Sequence, residues 1–121
     1  MAGRGLASRL RDRIRIERPV SDDSFDGAGA GSWALVSSNV PAEVKDTLSG
    51  GGERTEGGIK VATRTARVLI RWRAGMAPNM RFVMGDRIMQ ITAGPAEPAQ
   101  FGRREALEFL VEDYSTAGGG A

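Results

Sequence analysis

At 121 residues, with 40% hydrophobic residues and no run near the ~20 apolar residues that a membrane span requires, the chain reads as one globular domain. Cysteine and histidine are both absent, which excludes disulfide frameworks, the usual zinc and iron ligands, and Cys-His or Ser-His catalysis. The net charge is only +2, yet fifteen of the 17 cationic side chains are arginine, whose planar fork grips carboxylates and phosphates in pairs and suits protein-protein seams. The abundance of Ala and Gly gives the arginines a second reading, the base composition of a genome. The basic start MAGRGLASRLRDR has no apolar stretch behind it, so use in a cytoplasm is expected.

Residues 1–9, punctuated by Gly3 and Gly5 with Leu6 as the lone anchor, are expected to form a flexible arm. A first strand should begin near Leu10 to Arg13 and end at Pro19, with Ile14 and Ile16 inward and Arg13, Arg15 and Glu17 outward. SDDSFDGAGAGS then reads as a long Gly-rich loop. Trp33 opens a second strand that runs to about Val36. A third spans Val40 to Lys45, where Pro41 marks a strand start or an edge position. The stretch from Thr47 to Gly58, TLSGGGERTEGG, should be a flexible excursion or a strand extension, because five of its twelve residues are glycine. From Ile59 to Arg73 the pattern is long for a small sheet, so a break near Thr63 to Thr65 is expected.

Within that run Val68, Ile70 and Trp72 fall on one face, and Arg67, Arg71 and Arg73 on the other. AGMAPN supplies turn chemistry through Gly75 and Pro78, and Gly85-Asp86 a tight reversal between strands at Met80 to Met84 and Arg87 to Thr92. GPAEPAQFGRR is a connection. In the closing run Leu107, Phe109 and Val111 alternate with Glu108, Leu110 and Glu112; a strand is preferred there over a helix because the earlier strands need a closing partner. Residues 114–121 form a tail. The pattern specifies an all-β fold, a small antiparallel β-barrel or rolled sheet of six or seven strands with long flexible loops, in a single domain whose barrel spans 10–113.

Taken in order, RLRDRIRIERP, the Trp after GAGAGSW, VPAEV, VLIRWRAGMAPNMRFVMGDRIMQI and LEFLVED resemble the phage head-tail joining family, also called head-closure or stopper proteins, over roughly residues 4–113. The resemblance implies a structural, non-enzymatic component of a tailed phage or of a phage-like gene transfer agent. Such a component forms a six- or twelvefold ring at the head-tail junction of the virion, assembled in the host cytoplasm. Its implied partners are the portal-bound adaptor, the tail terminator or tail tube protein, and double-stranded DNA passing without sequence specificity. It also implies a channel-gating loop at Ser49 to Gly58, namely Ser49, Glu53, Arg54, Thr55, Glu56 and Gly58. Mixed charge suits such a gate, since a strongly basic channel would trap the DNA it must release. The plainer reading is a surface loop with no role.

Leu69 on the arginine face and Leu110 on the glutamate face would be large apolar side chains on polar surfaces. In a ring they suggest a seam, with Arg67 and Arg71 of one subunit facing Glu108 and Glu112 of the next. The arginines at 11, 13, 15, 67, 71 and 73 raise DNA contact as an alternative, but only Trp72 interrupts them with an aromatic, and alternation puts it on the opposite face. A monomeric nucleic-acid-binding barrel of the OB type is the rival reading. No cofactor or metal is expected: Asp22, Asp23 and Asp26, or Glu53 and Glu56, fit no cation-binding loop and read as solvated turns.

Overall fold

The computed structural model of the protein describes residues 3–20, 32–47, 53–56 and 59–115. One helix, α1 (Gly3–Arg9), precedes seven strands: β1 (Asp12–Pro19), β2 (Trp33–Asp46), β3 (Glu53–Glu56), β4 (Ile59–Arg71), β5 (Arg81–Met84), β6 (Arg87–Ala96) and β7 (Ala106–Ser115). All pairings are antiparallel, in the order β2-β1-β5-β6-β7-β4-β3, and a further β2–β4 pairing closes the first six into a barrel. Closure follows from chemistry: every barrel strand has one apolar face, and rolling the sheet buries all those faces in one interior while removing most exposed edges.

Ile14, Ile16, Val40, Ala42, Ala66, Val68, Ile70, Phe82, Met89, Ile91, Leu107, Phe109 and Val111 fill that interior. Phe82 and Phe109 meet edge to face at 4.9 Å between ring centres. Such a pair adds about 1 kcal/mol beyond the area it buries. Both expected reversals are present. Gly85, at φ +61°, joins β5 to β6 through a two-residue turn, and Gly75, at φ +88°, turns the chain after β4. Met76 and Ala77 from that second turn pack onto the core with Trp72 and plug one end of the barrel.

Several expectations are corrected. The supposed arm at 1–9 includes helix α1, held because Leu6 is buried with Leu10, Leu69 and Ala106 against Phe101. The two strands expected between Trp33 and Lys45 are one. Extra residues bulge β2 against β1 between Ser37 and Val40 and between Leu35 and Ser37, and Asn39 takes a left-handed φ of +57°, so the strand bends without ending. No break interrupts β4 at Thr63 to Thr65, because β3 pairs with its first residues and β7 with the rest, so its length extends past the barrel rather than curling within it. The expected excursion at 47–58 contains β3, the strand-extension alternative; residues 48–52 and 57–58, with Ser49 and Gly58, lie outside the described residues. Of the expected tail, 114 and 115 belong to β7. The sixth strand continues to Ala96 through two register shifts and a cis Gly94-Pro95 bond. Among the described residues no helix is long and apolar enough to cross a membrane, and no group of side chains could hold a metal ion.

Candidate functional site

The hairpin of β3 and β4 leaves the barrel as a two-stranded ribbon. Glu53, Arg54, Thr55 and Glu56 pair with Ala62, Val61, Lys60 and Ile59, whereas β7 joins β4 only from Ala62 onward. Ile59 to Val61 therefore have β3 as their only sheet neighbour among the described residues; the candidate gating residues Arg54, Thr55 and Glu56 sit on the protruding part, and Glu53 at its base opposite Ala62.

Its root is clamped by charge. Arg87 donates from Nε and Nη2 to both oxygens of Asp113, at 3.0 and 3.2 Å, and from Nη2 to Asp46 at 2.9 Å; Arg64 donates to the other Asp46 oxygen at 3.0 Å. Beside them, the Thr47 amide donates to the Thr65 carbonyl at 3.0 Å, and the two threonine hydroxyls touch. Each of the four charged residues continues the inward series of its strand: Asp46 follows Ala42 and Val44, Arg64 precedes Ala66 and Val68, Arg87 precedes Met89 and Ile91, and Asp113 follows Phe109 and Val111. They form a polar lid on the end of the apolar interior opposite the Met76 plug, and join β2, β4, β6 and β7 where the ribbon begins. Burial pushes the Asp46 carboxyl up, but hydrogen bonds and charge from Arg87 and Arg64 outweigh it and hold the group below its ordinary value. Arg87 is held above its ordinary value, chiefly by donating to Asp113.

A second network joins β1 to β5. Glu17, expected to face outward, is 9% exposed and accepts from Arg15 and Arg81, each at 2.8 Å. Arg81 in turn lies over the Trp33 ring at 4.1 Å. Burial pushes Glu17 up and the two arginines more than reverse it, so the carboxyl sits below its ordinary value.

The proposed seam residues divide. Leu69 does lie on the outer face, but it is 1% exposed because α1 covers it, so the expected exposed leucine is corrected. Arg9, at the end of that helix, donates to Glu43 of β2 at 2.8 Å and pins α1 down. Arg67 pairs with Glu108 of its own chain at 3.2 Å, where the sequence suggested a partner on a neighbour. Register brings the two strands together there, with Arg67 opposite Leu110 and Leu69 opposite Glu108. Leu110 is exposed, as expected, beside a cleft of about 210 Å³ that also touches Arg67, Ala93, Gly94 and Glu108. Arg71 is exposed but lies opposite Ala106, about 13 Å along β4 from Arg67, and Glu112 lies opposite Thr65 at the other end of the face.

Sequence reasoning missed the lid and the Glu17 network. A signal existed for Asp113, since extending the inward series of Leu107, Phe109 and Val111 by two residues lands on it. No such signal tied it to Arg87 or Asp46.

The order of bulged and paired strands, the plugged end and the protruding ribbon can be set beside known proteins. A model of the phage head completion protein family matches residues 6–113. The chain belongs to that family. It is a structural protein of a phage-type head, and the match spans α1 from Leu6 and the barrel strands as far as Asp113 of β7. The same fold occurs in a chain of the virion of a native gene transfer agent particle, with a TM-score of 0.62 and 24% identity over 89% of this chain and 97% of that one. No curated protein matches the chain.

Proposed function

We propose that this head completion protein works as a connector at the head-tail junction, forming a ring under the portal-bound adaptor, sealing the DNA channel and presenting a docking face to the tail. The observation that carries the reading is the β3–β4 ribbon, which extends beyond the barrel from a charge-clamped root. A ribbon whose outer edge carries no strand among the described residues can pair with a neighbour's at little cost in packed core, while its root keeps its direction. Six or twelve such ribbons converging on an axis would narrow a channel without a catalytic step, and the reading calls for no enzyme activity. The seam would run over Leu110, Arg67 and Glu108, extended by Glu112 and Arg71, where an exposed leucine is flanked by charges of both signs. Leu69 would act only through the helix that covers it.

The test shortens the ribbon. Removing Arg54, Thr55, Lys60 and Val61 deletes two residues from each strand, preserves their alternation, and withdraws the tip by about 7 Å. Particles assembled with this chain should package DNA and then lose it, giving filled heads at early times and nuclease-sensitive DNA later. Stable, nuclease-resistant filled particles would refute the sealing role. Electron microscopy of the same particles checks the ring and its position. A chain that stays monomeric with the adaptor present, and whose oligonucleotide affinity falls steeply with salt, would point instead to a nucleic-acid-binding barrel.

A further inference from the structure

Where β2 bends, it parts from β4. The β2–β4 ladder ends at Ala42 opposite Ile70, and the next residue of β2, Pro41, has no N–H to continue it. From Trp33 to Pro41 the strand pairs with β1 on one side, and among the described residues its other edge carries no strand. The divergence opens a cleft of about 280 Å³ between Ser37, Ser38 and Asn39 on one side and Arg71, Trp72 and Arg73 on the other.

Among the described residues the charge of this cleft is uncompensated. No carboxylate lines it among the described residues. Glu43, two residues along β2, is paired with Arg9, and the Glu105 carboxylate accepts from the Gly102 amide while its carbonyl accepts from Trp72 N–H. A third guanidinium, that of Arg104, lies 5.3 Å from the Trp72 ring centre. Arg13 stands opposite Pro41 on β1 and is exposed, which extends the positive field across the strand.

We propose that this cleft is a docking site for an extended acidic peptide segment of a partner protein, which adds as a strand to the free edge of β2 and sets its carboxylates against Arg71 and Arg73. Two independent features select that occupant. An open strand edge offers alternating N–H and C=O groups, which a peptide backbone satisfies and a nucleic acid does not. Paired guanidiniums with serine hydroxyls opposite them suit carboxylates, and the half-buried face of Trp72 suits the apolar residues that alternate with them. Duplex DNA presents regular phosphates over a wide surface, whereas this cleft is narrow and lies between two strands.

The experiment uses the isolated full chain and so does not depend on the ring. An acetylated, amidated hexapeptide of alternating aspartate and valine is titrated into labelled protein, following the backbone amides of residues 33–40 and the Trp72 indole by NMR. Saturating shifts confined to that edge are expected, with affinity at least about tenfold weaker in the R71E/R73E variant. Alternate N-methylation of the peptide backbone should have a similar effect. If the double variant loses its fold by circular dichroism, Arg73→Gln is used with the same direction expected. Absence of binding, equal binding of the asparagine-valine peptide, or full binding of the N-methylated peptide would overturn the proposal. Occupation of the same residues by a duplex oligonucleotide but not by the peptide would overturn it in favour of DNA.

Discussion

Replacing Arg87 by alanine tests the lid. Arg87 retains 17% of its side-chain exposure and Asp113 only 8%, so the truncation leaves a carboxylate whose two oxygens have each lost their arginine donor at the barrel end. Breaking a buried pair from one side costs about 3–5 kcal/mol, because the remaining charge is left desolvated. The Asp46 arm is half exposed and keeps Arg64, so it adds well under about 1 kcal/mol, and the low end of the range, about 3 kcal/mol, applies. With a urea slope of about 1.5 kcal/mol per molar, that moves the midpoint down by about 2 M. The R87A/D113A double variant removes the orphan charge and should recover part of the loss, giving a coupling of at least about 1.5 kcal/mol in a double-mutant cycle. Urea unfolding followed by circular dichroism reads both quantities, and hydrogen exchange at the Thr47 amide reports whether the ribbon root loosens first. A loss below about 1 kcal/mol, or strictly additive variants, would show that the lid is an ordinary surface ion cluster rather than a clamp.

Acid should weaken the fold with a predictable sign. Glu17 and Asp46 both lie below their ordinary values of 4.5 and 3.8, so the folded chain binds fewer protons than the unfolded one; their contribution is complete above those values and drains away as pH falls through the lowered ones. Glu17→Gln should flatten that acid limb in a series of thermal melts between pH 5 and about pH 2, and an unchanged slope would count against the Glu17 network. Gly94 stands at φ +106°, and a Cβ there would meet the Glu108 carbonyl oxygen at 2.7 Å and Phe109 Cα at 3.1 Å, both backbone atoms that cannot swing aside. Gly94→Ala should therefore cost about 2–4 kcal/mol, read as a lowered urea midpoint, and a neutral effect would mean that the β6 bulge relaxes freely. Leu6→Ala removes the anchor of α1, with an expected loss of about 2 kcal/mol and faster proteolytic cutting before Leu10, while the Phe82 and Phe109 region keeps its exchange protection.

The legible part of this chain was the part governed by local alternation. Ile14, Ile16, Val68, Ile70, Phe109 and Val111 all point inward as their spacing requires, because on a pleated strand successive side chains take opposite faces whatever the partner strands do. Gly75 and Gly85 announced their turns for an equally local reason, since positive φ is nearly free only for glycine. The ribbon was half legible: TLSGGGERTEGG departs from the core pattern, but whether Glu53 to Glu56 form a strand depends on the length of β4 alongside.

Alternation assigned Leu69 to the outer face and could not say that α1 would lie over it, because that cover comes from a helix 60 residues earlier in the chain, anchored by Leu6 and by Leu10 just beyond its end. In the same way it placed Arg67 and Glu108 on one surface, while their union in a single chain depends on the β4–β7 register. Composition and period thus determined an all-β barrel, its inward residues and its tight turns. Three-dimensional closure alone decided which charges meet at the lid, which of Leu69 and Leu110 stays exposed and where, among the described residues, β2 leaves an edge open, since each of these joins residues tens of positions apart that no local periodicity relates.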